Sequence, residues 1–146
     1  MTAHPGILTL EVHGIPAPQG SKRHVGHGVM VESSAKVEPW REAVRSEVQA
    51  AGGPPMEGPL RVTATFWLPR PKRHFRANGQ LHKWAPDYCP TRPDLDKLLR
   101  STLDGLKTGG AYLDDSQVVE VAASKHYCPI GFAPGASVQV THPGLP

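Results

Sequence analysis

The chain has 146 residues, a formal net charge of +3 and a pI near 9.0. That length makes one domain of ordinary size, able to bury a modest core without help from a metal or disulfides. Two cysteines (Cys89 and Cys128) and eight scattered histidines argue against a disulfide framework or a four-ligand zinc site, and no stretch approaches the ~20 apolar residues of a membrane span.

The opening MTAHPGILTL lacks the charged segment and long apolar run of a signal peptide, so a soluble, reducing, cytoplasmic setting is expected. Residues 7–15 alternate apolar and polar and predict a strand. PAPQGSKRHVGHG breaks the pattern and predicts a loop or hairpin that carries Lys22 and Arg23 and returns through GVMVESS. From about 37 to 50, Val37, Trp40, Val44 and Val48 share one helical face. Pro39 suits the first turn, Ser34 is a candidate cap, and AGGPP stops the helix.

Residues 59–68 predict a second strand, with Val62, Ala64, Phe66 and Leu68 on one side. The segment 69–92 has no clear period and is long for a connection, a length that points to function or disorder. It holds Arg70, Lys72, Arg73 and Arg76 interleaved with Phe75, Trp84 and Tyr88. Cations meet phosphates and rings stack on unpaired bases, so this composition suits a nucleic acid. For Phe75 and Trp84 taken singly, packing against the core is the preferred expectation.

The clearest helix runs from about 94 to 107. Leu95, Leu98, Leu99, Thr102, Leu103 and Leu106 form its buried face, and Gly109 and Gly110 end it. This Leu-rich face serves either the core or an interface between copies. A turn, YLDDSQ, leads into a strand with Val119 and Val121 on one side and Val118, Glu120 and Ala122 on the other. A last strand, ASVQVTH, is expected to pair near it, and the HPGLP tail to be loose. No internal repeat is visible.

All six aspartates lie between Asp87 and Asp115 in this basic chain. Crowded carboxylates repel, so something positive must offset them. Pro93 keeps the preceding backbone extended, which places Asp94 at the helix cap and Asp96 in the first turn, both at the positive end of the helix dipole. An ordinary cap explains one of them. It does not explain Asp114 and Asp115, adjacent at the start of a strand. A divalent cation takes oxygen ligands, and Asp94, Asp96 and one of the later pair would suit magnesium. Asp104 is expected to be a surface charge, paired with Arg100 at spacing four.

RPDLDKLLRSTLDGL followed by AYLDDSQVVEVAASK resembles the RusA-type crossover junction endodeoxyribonucleases, the Holliday junction resolvases common in phages and prophages. The resemblance is specific over Arg92 to Lys125 and looser over about 7 to 140, where GIPAPQGSKR is similar to the family's Pro-rich opening. It implies an α/β (α+β) fold with a small mixed sheet and two main helices, one domain over 1–146, and a homodimer with one magnesium-dependent site per subunit. The essential acids would be Asp94, Asp96 and Asp115, with Asp114, the first member of the same pair, as a further metal ligand. Arg100 stands where the family carries a Lys, and Lys97 where it often carries Asn. Arg keeps the charge but cannot release its proton, so charge stabilisation survives the change and proton donation does not.

The expected activity is metal-dependent cleavage of phosphodiester bonds in a four-way junction, with Mg2+, or Mn2+ in its place. Asp94, Asp96, Asp115 and Arg100 would be catalytic, and Lys22, Arg23, Arg70, Lys72, Arg73, Arg76, Lys97 and Lys125 would hold DNA. Two alternatives stay open: a branched-DNA-binding protein without cleavage, and a nuclease for forks or flaps. A glycosidase built on a carboxylate pair would have no use for the basic loops.

Overall fold

The computed structural model describes residues 6–20, 23–24, 30–31 and 35–144, with the backbone alone for 23–24 and 30–31. Lys22, Ser34 and the end of the HPGLP tail lie outside the described residues, as does the side chain of Arg23. In chain order the elements are β1 (Ile7–His13), β2 (Arg23–His24), β3 (Met30–Val31), α1 (Val37–Ala51), β4 (Leu60–Leu68), α2 (Leu95–Gly109), β5 (Val118–Tyr127) and β6 (Gly135–Thr141). The main sheet has the order β1-β6-β4-β5. β4 and β5 are parallel, and the other two pairings are antiparallel. β2 and β3 form a small antiparallel pair, the expected hairpin. This mixed sheet with two helices is the α+β fold that the family resemblance implies.

Two expectations are corrected here. β6 does not sit beside β5: it lies between β1 and β4, and β4 separates it from β5. The residue at the N-cap of α1 is Lys36, whose side chain makes no capping hydrogen bond. Among the described residues no helix is long and apolar enough to cross a membrane.

The alternation in the strands builds the core. Leu8, Leu10 and Val12 of β1, Leu60 to Leu68 at every second position of β4, and Ala136, Val138 and Val140 of β6 are buried in one cluster. Trp40, Val44 and Val48 of α1 and Leu98 and Leu106 of α2 close over that sheet face. The helices also share a buried hydrogen bond, in which Trp40 Nε1 donates to Thr102 Oγ1 at 3.1 Å. Thr102 in turn donates to the Leu98 carbonyl at 2.8 Å, so the indole N–H is paired inside the core at no loss to the helix ladder.

Gly105 and Gly109 serve contact rather than termination alone. A Cβ on Gly105 would fall 2.7 Å from Val44 Cβ and 3.0 Å from the Arg41 carbonyl oxygen. On Gly109 it would fall 2.7 Å from Val48 Cβ. One turn apart, the two glycines let α2 lie directly on α1. Gly109 still belongs to the helix, and Gly110, left-handed at φ 93°, ends it.

Gly105→Ala should therefore destabilise the protein although Ala is the better helix former. The propensity gain is at most ~1 kcal/mol. Overpacking costs about 1–3 kcal/mol. With the full propensity gain subtracted, urea unfolding should report a net loss of up to about 2 kcal/mol. A gain in stability would show that the two helices are free to separate.

Candidate active site

α2 carries the acids because it is the crossover between parallel neighbours. It leaves the end of β4 where Leu68 stands, runs back along the sheet, and delivers the chain to the start of β5. Asp94 is its N-cap residue, extended at φ −67° and ψ 138°. Its carboxylate makes no capping hydrogen bond and lies 3.5 Å from Lys97 Nζ. Capping, the ordinary reason for an Asp at this position, is thus absent. Asp96 follows in the first turn and is exposed. Asp96, Arg100, Asp104 and Asp115 line one shallow groove along the helix with Leu99 and Leu103. Asp94 faces a different groove, beside Lys36, Lys97, Arg92 and the segment Ile15–Pro18.

Arg100 is exposed in the acid-lined groove and forms no ion pair among the described residues. The expected Arg100–Asp104 pair is corrected: Asp104 faces Arg41 of α1 instead, at 3.9 Å. The close seating of α2 on α1 brings that guanidinium within reach.

The two adjacent acids differ. Asp114 Oδ1 accepts the Ser116 N–H at 2.9 Å, and the Gln117 side chain accepts the Asp114 N–H at 3.1 Å, a reciprocal cap on the 3-10 turn Asp115–Gln117. The bond from the Ser116 backbone, with help from the Ser116 side chain and the Lys107 charge, holds the Asp114 carboxyl below the usual carboxylate range. Asp115 has no such bond and lies 3.7 Å from Lys107 Nζ in the last turn of α2. Gln117 also donates to the carbonyls of Met56 (3.0 Å) and Gly58 (3.1 Å), tying the acidic turn to the loop before β4. Sequence reasoning assigned Gln117 nothing, although its spacing from Asp114 is a capping-box signal.

A fit to a metal is incomplete within one copy. Among the described residues no three His, Cys, Asp or Glu side chains gather closely enough to hold an ion. Roughly 20 Å of helix, at ~1.5 Å per residue, separates Asp94 from Lys107. Even with the Lys107 arm lying back along α2, the Asp94 and Asp115 carboxylates stay on the order of 10 Å apart. Oxygen ligands of one magnesium sit about 3–4 Å from each other.

Segment 69–92 is a folded element. It carries a 3-10 turn at Lys72–His74 and bridges Phe75–Leu81 and Tyr88–His126, the latter laying it along the end of β5. Arg70 holds it together. Its side chain is 4% exposed and donates to the carbonyls of Cys128 (2.8 Å) and Pro86 (2.7 Å), with His74 Nδ1 at 3.3 Å. The expectation that Arg70 contacts DNA is corrected, because its guanidinium is buried among these acceptors. Lys125 is likewise engaged, donating to the carbonyls of Thr91 and Pro93. Lys72, Arg73 and Arg76 are exposed and form no ion pairs among the described residues. Trp84 also departs from expectation. It is 59% exposed, with one face stacked on His82, and Tyr88 is 65% exposed with its ring near His126.

His74 is buried between Trp84 and Tyr127. Burial, then the charges of Arg70 and Arg73, hold its imidazole below the ordinary value of 6.5. The unfolded chain therefore takes up this proton at a higher pH than the folded one. The stability His74 contributes is complete above pH 6.5 and is lost progressively as pH falls below it. Thermal melts should show a steeper loss of stability as pH falls below that point in the parent than in His74→Gln. Equal slopes would show that this proton is not linked to folding.

The chain matches the family described as Endodeoxyribonuclease RusA over residues 12–141. No curated protein matches it. The match spans both helices, strands β4, β5 and β6 and both acidic stretches, which places the chain in the RusA endodeoxyribonuclease family, whose general activity is Holliday junction resolution.

Proposed function

We propose that this protein is a magnesium-dependent endodeoxyribonuclease that resolves four-way DNA junctions by paired nicks, acting as a homodimer. The observation that carries the reading is the state of the crossover acids. Asp94 and Asp96 stand exposed at the start of a helix that neither of them caps by a hydrogen bond, and Asp115 stands exposed beside its last turn. Carboxylates left in this way by local structure are available to a cation. Their spacing along α2 supports a site shared between copies, in which Asp94 and Asp96 of one subunit and the partner's Asp115 converge. Two such sites related by a two-fold axis would suit the near two-fold symmetry of a junction.

A divalent cation held there, magnesium or manganese, would supply stabilisation of the negative charge that builds on phosphorus. Arg100 would add a fixed positive charge beside Asp96. Lys72, Arg73 and Arg76 would hold backbone phosphates, with Lys97 nearer the acids. The exposed rings of Trp84 and Tyr88, in the same basic segment, offer stacking surfaces to bases unpaired at a branch.

The test is cleavage of a synthetic four-way junction beside a linear duplex of the same sequence, with and without magnesium. Symmetric nicks in the junction alone, and only with metal, are expected. Asp96→Asn should abolish nicking while junction binding is kept or strengthened, since a negative charge near phosphate is gone. Binding without cleavage in magnesium and manganese would identify a non-cleaving branched-DNA binder. Preferential cutting of forks or flaps in competition would move the substrate to those structures.

A further inference from the structure

Lys125 lies on β5, far from Asp94 and Asp96 in sequence, yet its ammonium closes on the turn that launches α2. Its Nζ donates to the Thr91 carbonyl at 2.6 Å and to the Pro93 carbonyl at 2.7 Å. The Pro93 carbonyl belongs to the peptide that carries the Asp94 N–H, so one bond of this clamp reaches the residue that begins the helix. Three further contacts hold the same turn against β5. The Cys89 N–H donates to the Lys125 carbonyl at 3.3 Å, the Tyr127 N–H donates to the Asp87 carbonyl at 2.8 Å, and the Tyr127 hydroxyl lies 3.1 Å from Thr91 Oγ1. These three involve the backbone of β5 or Tyr127. Among the described residues only the Lys125 side chain grips the carbonyls on both sides of Arg92.

We propose that Lys125 is a positioning residue for cleavage. It fixes the Thr91–Pro93 backbone and thereby aims the Asp94 carboxylate relative to Asp96. The proposal rests on the reading of Asp94 as a functional acid. Three physical points support it. Charge-assisted bonds to two carbonyls are stronger and shorter than neutral ones, so the clamp resists thermal displacement. Asp94 itself makes no capping bond that would set its orientation. The ammonium, with two of its three donors on backbone, is poorly placed to serve as a free phosphate ligand.

The experiment compares Lys125→Met and Lys125→Arg with the parent. In metal-free protein, exchange of the Leu98 amide, which donates to the Asp94 carbonyl at 3.1 Å, should rise about 10-fold or more in Lys125→Met, with α1 and β4 unchanged. Nicking of the four-way junction should fall about 10–100-fold, with half-saturating magnesium raised, as for other residues that orient a ligand. Metal-free junction binding and its salt dependence should match the parent. Lys125→Arg, which keeps donors and charge, should restore most of both the exchange protection and the nicking. Unchanged exchange in Lys125→Met would overturn the clamp. Weaker metal-free binding with a salt slope smaller by about one would overturn it in favour of a phosphate contact. If Lys125→Met does not fold, Lys125→Arg decides: parent-like exchange and nicking are required, and loss of either overturns the proposal. A parent that nicks no junction would sink the functional reading, while hydrogen exchange would still judge the clamp.

Discussion

Parallel pairing of β4 with β5 is the constraint on which the rest depends. Parallel neighbours cannot be joined by a tight turn, so the chain must cross from one end of the sheet to the other, and here it does so through α2. The crossover fixes where each acid stands. Asp94 and Asp96 mark one end of the sheet, Asp104 the middle of the helix, and Asp114 and Asp115 the other end. Tight seating of α2 on α1, through Gly105 and Gly109, makes that spacing rigid. Asp96, Asp104 and Asp115 thus line one groove along the helix while Asp94 faces another, and the separation of Asp94 from Asp115 along α2 is what supports a site completed by a second copy.

The sequence revealed most of the frame. Strict alternation in 7–13 and 60–68 and the leucine spacing of α2 are periodic signals, and each reflects one buried face. The less legible features came from contacts between distant segments. The place of β6 between β1 and β4 depends on which strand edges are left after the crossover, and no local pattern encodes that. Arg70 read as one more cation in a basic run, because nothing nearby in sequence announces that Cys128, Pro86 and His74 surround it. Lys125 was hidden in the same way: its acceptors, Thr91 and Pro93, are backbone atoms more than thirty positions away.

The candidate site divides along the same line. Asp94 as cap residue and Asp96 in the first turn were legible from Pro93 and the apolar period that follows. The difference between Asp114 and Asp115 was not, because it turns on which carboxylate meets the Ser116 N–H. The basic residues separate too. Arg70 and Lys125 are internal fasteners that shape the segment before α2, while Lys72, Arg73 and Arg76 remain on the surface, where a polyanion can reach them. The cations of this sequence are therefore two populations in the fold, one engaged in internal hydrogen bonds and one exposed at the surface.

The shared site is tested most directly by mixing two inactive variants, Asp96→Asn and Asp115→Asn, as differently tagged subunits and isolating the mixed dimer. With sites shared between subunits, one site of the mixed dimer receives both substitutions and the other receives neither. The mixed dimer should then nick one strand of a four-way junction in magnesium, while either variant alone does nothing. If every site were built within one subunit, both sites of the mixed dimer would be damaged, and the absence of any nicking from it would contradict the shared site.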